Sequence, residues 1–246
     1  MALIAPTPKV VNCKVSRMFN PDHNASPFNA IPPIVVALVV IILGIEIVFQ
    51  VAAAGFIGGG SGVAWRILAW SQFGFSDPVF EWMRTNETYP ASGLWRFFTY
   101  AFLHESMVHA VFASVLLLAI GKFVGERFKS IHVLLIFFVA SSVGALAYGL
   151  VLDNNRPLVG AYPGVYGLLG AFTWVLWIGA AGDRAGQIAA FRLIAFLAGL
   201  QLLFQIIGLG GYEWVADLFG FVAGFAMCFA LAPGALRRWL NRSRSR

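Results

Sequence analysis

Six apolar runs, each near the roughly 20 residues a helix needs to cross a hydrocarbon core, constrain this chain more than any other feature. They are Ile34–Ala54, Met107–Phe123, Ile131–Leu152, Gly164–Ala181, Ile188–Leu209 and Trp214–Leu231. In lipid, backbone polar groups must be paired within the protein, so runs of this length become helices. Only 11% of the 246 residues are charged and the mean hydropathy is +0.79, which leaves too few charges to cover a soluble surface. The expected fold is an all-α membrane protein: a six-transmembrane-helix bundle with a long, partly interfacial first loop. A membrane domain is expected over 32–233, between a flexible, polar N-terminal arm (1–31) and a basic tail (234–246). No signal peptide is expected, because the first apolar run starts late and is too long for one.

The connections set the orientation. Thirteen of the 17 Lys and Arg residues lie in the arm, the second-to-third connection, the fourth-to-fifth connection and the tail. The other side holds Arg66, Arg84, Arg96 and Arg156. The positive-inside rule then puts both termini in the cytoplasm and the 55–104 loop outside. That loop contains GFIGGGSG and four tryptophans, so it should pack on the helices or lie in the interface. The RRWLNRSRSR tail reads as a topology anchor that meets anionic headgroups of the lipid bilayer, and not as a nucleic-acid site. Cys13 and Cys228 fall in a polar arm and an apolar run, which argues against a disulfide and excludes a cysteine-type zinc site. No cofactor is expected.

Polar residues at membrane depth are functional suspects. His104 and His109 occur in LHESMVHA, one residue too far apart for the zinc motif H-E-x-x-H. A spacing of five puts two imidazoles ~140° apart around a helix, against ~40° for a spacing of four, so a shared metal is rejected. The bland reading is a cap for His104 and an interior packing role for His109. Asp217 lies just inside the last run with Glu213 four residues before it; an acidic helix start and a functional carboxyl weigh equally. Glu46 and Gln50 share a face of the first run, as Gln201 and Gln205 do on the fifth. The first pair reads either as packing satisfied within the fold or as a contact with a partner helix; Gln201 and Gln205, at the lateral gap beside the fifth helix, read as a candidate partner-binding surface. Ser114, Ser141 and Ser142 read as packing residues with no base beside them. Gly220 and Gly224, with Gly164, Gly167 and Gly170, form thin stripes that allow the fourth and sixth helices to touch.

Three segments carry a resemblance when taken together. They are WRFFTYAFLHESMVHA (95–110), GAYPGVYGLLGAF (160–172) and ADLFGFVAG (216–224). In this order and on these helices they resemble the rhomboid family of intramembrane serine proteases, across nearly the whole chain. The resemblance implies a serine at position 162, a histidine at 217 and an oxyanion-side asparagine at 113. Tyr162, Asp217 and Ala113 stand there instead, and Pro163 replaces a glycine; His109 matches the retained oxyanion-side histidine. Serine catalysis needs an aliphatic hydroxyl, a nearby base and oxyanion donors. A phenol and a carboxylate are poor replacements.

The resulting expectation is a catalytically inactive, rhomboid-like pseudoprotease of a bacterial inner membrane. It would bind a membrane protein partner or transmembrane client, or serve as an accessory subunit of a larger complex. The alternative is an active intramembrane serine-type endopeptidase with nonstandard active-site residues. A polar conduit through Glu46, His109 and Asp217 ranks last, because neither broken helices nor a repeat is visible. Tyr162 and Asp217 are expected to meet at the outer end of the bundle in a charge-assisted hydrogen bond.

Overall fold

The computed structural model of the protein describes residues 31–153, 155–208 and 210–231. The 234–246 tail, Cys13 and all of the 1–31 arm except Ile31 lie outside the described residues. Eleven α-helices are described: α1 Pro33–Ala53, α2 Trp65–Phe73, α3 Asp77–Thr85, α4 Ala91–Leu94, α5 Arg96–Thr99, α6 Met107–Gly125, α7 Ser130–Val151, α8 Tyr162–Gly179, α9 Arg184–Ala189, α10 Arg192–Ile206 and α11 Trp214–Leu231. No strand forms among the described residues; one isolated antiparallel bridge joins Phe75 to Leu158.

Local chemistry places the helix ends. Pro33 opens α1 at a position where its missing N–H costs no helical bond. The Ser106 hydroxyl accepts the His109 N–H at 3.2 Å and caps α6. The Asp183 carboxylate accepts the Ala185 N–H at 3.0 Å and caps α9. Helices α1, α6, α7 and α11, together with the Arg184–Ile206 stretch, are long and apolar enough to cross a membrane.

Helix α8 does not meet that measure, although at 18 residues it is as long as α11. Glycines, Pro163 and two tyrosines dilute its hydropathy, and for a reason visible in the packing. Every residue from Pro163 to Ala171 is buried, enclosed by α6, α7 and α11, so this half of the helix meets protein, while Leu176 and Ile178 near its end are exposed. The glycine stripes work as expected. A Cβ on Gly224 would collide with the Gly167 carbonyl oxygen, and one on Gly220 with the Pro163 carbonyl. Helices α8 and α11 therefore touch backbone to backbone.

The first loop is built on a small aromatic core. Phe75 packs edge-on against Phe97 at 5.0 Å and against Tyr148 of α7 at 6.4 Å. Arg96 fixes the end of α2, donating to the carbonyls of Gly74 at 2.9 Å and Ser71 at 2.7 Å. Neighbouring Trp95 donates through Nε1 to the Gln72 carbonyl at 3.3 Å. The W-R pair thus acts as a C-terminal cap for α2. Phe56, Val63, Ile67 and Leu68 face outward, the character an interfacial element needs.

Candidate functional site

The singled-out residues gather where the segment before α8 meets the start of α6. Gly160 has φ +119°, a conformation that L side chains rarely adopt, and a Cβ there would sit 3.0 Å from His109 Cε1. Glycine lets the chain turn against the imidazole before entering α8. The Gly160 N–H donates to the Tyr100 carbonyl at 3.1 Å, and the Ala161 N–H donates to His104 Nε2 at 3.3 Å. The Tyr100 hydroxyl, fully buried, donates to the Ser141 carbonyl at 2.7 Å. The entry to α8 is thus tied both to the first loop and to the segment preceding α6.

His104 is buried at 1% exposure and acts as an acceptor. Burial, aided by the nearby His109 ring, pushes its pKa down to about 4. The expected helix-cap role falls to Ser106 instead, because His104 lies two residues upstream and turns inward. His109 sits edge-on to His104, with ring centroids 5.2 Å apart. Its Nδ1 accepts the Glu105 N–H at 3.4 Å, an assignment that leaves Nε2 as the donating nitrogen of the neutral ring. Ala113, one turn further along α6, is fully buried and offers a methyl group where a side-chain donor would be needed.

Tyr162 and Asp217 are not hydrogen-bonded to each other. The Tyr162 ring lies flat on His109, with centroids 4.9 Å apart and planes 16° from parallel. Asp217 turns the other way, and its Oδ2 accepts from Gln201 Nε2 of α10 at 2.6 Å. The expected phenol–carboxylate bond is replaced by an aromatic stack and an amide–carboxylate bond. The reason is local: at the first position of α8 the phenol is drawn across the imidazole, while Asp217, 3% exposed, faces α10. Asp217 Oδ1 has no hydrogen-bond partner.

The two glutamine surfaces also resolve inward. Glu46, 1% exposed, takes a forked pair of hydrogen bonds from Arg66 at 2.7 and 2.8 Å and a third from Gln50 at 2.9 Å. Arg66 adds a bond to the His104 carbonyl at 2.6 Å. Gln201 is occupied by Asp217. The Gln205 amide, oriented by its surroundings, donates to the Gly210 and Gly211 carbonyls at 3.2 and 2.6 Å. Each pair thus has hydrogen bonds within the fold, which for Glu46 and Gln50 is the internally satisfied reading that the sequence allowed.

Sequence reading missed Arg66. The signal was present, since Glu46 needs a countercharge and Arg66 is the first cation after it in the chain. Ser141 and Ser142 donate to carbonyls one turn back, at 2.8 and 2.9 Å, and Ser114 is buried within α6. Among the described residues no hydroxyl or thiol is hydrogen-bonded to a histidine ring, and no group of three metal-ligating side chains assembles.

A cleft of about 120 Å³ opens between α8, α10 and α11, lined by Tyr166, Ile194, Ala198, Gln201, Leu202, Trp214 and Leu218. Gln201 forms its wall toward Asp217.

A family model described as Rhomboid domain matches residues 91–234, more than half of the chain. RHOMBOID-like protein 4 of Arabidopsis thaliana is 26% identical over 151 residues, 60% of this chain and 36% of that protein. RHOMBOID-like protein 1 of the same organism is 28% identical over 142 residues, 55% of this chain and 34% of that protein. The chain thus spans about a third of the length of these relatives.

Proposed function

The chain belongs to the rhomboid family, and from that premise we propose that it is a member without peptidase activity which binds transmembrane segments of other membrane proteins. The observation that carries this reading is the separation of Tyr162 from Asp217. The positions that match the family's nucleophile and base hold a phenol stacked on His109 and a carboxylate bonded to Gln201. Neither pairing can activate an aliphatic hydroxyl, and Ala113 supplies no oxyanion donor. Losing the nucleophile and the base together removes several orders of magnitude of rate.

The same proposal includes α8 as a sixth crossing. Its support is a length equal to that of α11 and its enclosure by three spanning helices, which relieves it of the need to be lipophilic. Six crossings put both termini on one side, and the thirteen-to-four distribution of basic residues favours the cytoplasm. We keep the bacterial inner membrane as the compartment; the two plant relatives speak to the family alone. The division into an arm at 1–31, a membrane domain at 32–233 and a tail at 234–246 belongs to the proposal as well.

The test uses the full chain in liposomes, with several rhomboid-type transmembrane substrates and a serine-directed fluorophosphonate probe. Absence of cleavage and labelling, together with saturable binding of the substrates, is the expected result. Specific cleavage or stoichiometric labelling of a serine would establish the active-peptidase alternative and end this reading.

A further inference from the structure

The fifth span is the part of the bundle that is held least. Only 11% of the Arg184–Ile206 stretch is buried, against 56% for α7, and Ile194 is the one buried residue of α10. The chain leaves α10 through Gly208, at φ +76°, followed by Gly210 and Gly211. Its polar tie to α11 is the bond from Gln201 to Asp217. Among the described residues no Lys or Arg is ion-paired with this buried carboxyl. One of its oxygens has no donor at all.

We propose that Asp217 is the acceptor of an intramembrane recognition site, which takes the cationic side chain of a lysine or arginine on a transmembrane segment of another protein. This rests on the client-binding reading above and gives it a chemistry. The cleft beside Gln201 is the approach, and Gln201 is the group that the incoming cation displaces. A neutral amide leaves this carboxyl group one partner short and offers no countercharge to its ionised form, whereas an ammonium or guanidinium supplies both. Depth fits as well. Asp217 is the fourth residue of α11, so it lies about 5 Å inside the helix end. A lysine or arginine stem can reach that depth from the interface while its backbone stays in lipid. Glu213, one turn earlier and nearer the surface, adds negative charge along the route.

The experiment uses the full chain in phosphatidylcholine liposomes, with a donor fluorophore on Cys13. It is titrated with acceptor-labelled leucine–alanine single-span peptides that carry Lys, Gln, Glu or Leu four residues inside the outer end. The lysine peptide is expected to bind about tenfold more tightly than the leucine and glutamine peptides, and the glutamate peptide more weakly than either. Asp217→Asn should abolish the lysine preference. Gln201→Leu, which removes the competing donor and keeps the carboxylate, should preserve or increase it, so a poorly folded Asp217→Asn does not spare the idea. Equal binding of the lysine, glutamine and leucine peptides would overturn the site while leaving client binding intact. A lysine preference that survives Asp217→Asn would place recognition elsewhere. Failure of every peptide to bind would remove both the site and the reading beneath it.

Discussion

Arg66 on α2 grips Glu46 on α1 with two parallel hydrogen bonds of 2.7 and 2.8 Å and reaches on to the His104 carbonyl at 2.6 Å. One guanidinium thereby joins the first helix, the first loop and the segment that carries His104. The forked geometry is one that arginine provides and lysine does not. The loop that precedes the candidate site is therefore positioned by a nearly buried ion pair, with Glu46 1% and Arg66 18% exposed.

Removing one member should cost more than removing both. Glu46→Leu leaves the guanidinium without its carboxylate at the helix surface, and a loss of about 3 kcal/mol is expected. The double variant Glu46→Leu/Arg66→Leu should recover most of that loss, because no lone charge remains. Thermal unfolding in detergent measures both, and equal destabilisation of the single and double variants would refute the account.

The glycine stripes predict a sharp contrast between positions. A Cβ at Gly224 would overlap the Gly167 carbonyl, so Gly224→Ala should cost at least about 2 kcal/mol through overpacking of α8 on α11. At Gly44 no neighbouring atom lies within 4 Å, and Gly44→Ala should be neutral or stabilise by about 0.5 kcal/mol through helix propensity. Melting temperatures of the two variants against the parent decide the matter. Indifference at Gly224 would mean that the two helices do not touch as described.

The long apolar runs, the stripes Gly164–Gly167–Gly170 and Gly220–Gly224, and the packing of the first loop were legible because each follows from period and composition. Two features were not. The fourth run was legible as a helix, but its enclosure by α6, α7 and α11 is a tertiary fact, and enclosure explains its modest hydropathy. The bonding partners of the polar pairs were not legible for a related reason. Glu46 with Gln50, and Gln201 with Gln205, are recognisable as neighbours on a helix face. Glu46 finds Arg66, 20 residues away, and Gln201 finds Asp217, 16 away, across contacts that periodicity does not report.

Orientation gives a direct prediction. Cys228 is buried, so in intact cells an impermeant thiol reagent should report on Cys13 alone. The basic-residue asymmetry predicts protection of Cys13 until the membrane is permeabilised. Labelling of Cys13 in intact cells would reverse the topology.

His104 predicts a pH dependence outside the spanning segments. Its native pKa is depressed from the ordinary 6.5 to about 4 by burial, with the His109 ring acting in the same sense. Between those values the unfolded chain binds a proton that the native state does not, so stability falls as pH drops from 6.5 toward 4. The slope contributed by this one group is at most about 1.4 kcal/mol per pH unit. Protonation would also end the acceptor role of Nε2 toward the Ala161 N–H. His104→Gln, which retains an acceptor but does not titrate, should flatten the melting-temperature profile over that window. An unchanged profile would mean that His104 titrates normally.

The stack of Tyr162 on His109 separates the ring from its hydroxyl. The phenolic oxygen has no bond to Asp217, whereas the ring covers the imidazole at 4.9 Å with nearly parallel planes. Tyr162→Phe removes only the hydroxyl and should change stability by less than about 0.5 kcal/mol. Tyr162→Ala removes the stack and part of the buried ring area, for a loss of about 2–3 kcal/mol. The same pair of variants tests the separate bonding of positions 162 and 217 through Asp217→Asn. With no hydrogen bond between them, the effects of Tyr162→Phe and Asp217→Asn should add to within about 0.5 kcal/mol in a double-mutant cycle. A coupling energy above about 1 kcal/mol would show that the phenol and the carboxyl do meet, and the arrangement of the site would have to be redrawn around that bond.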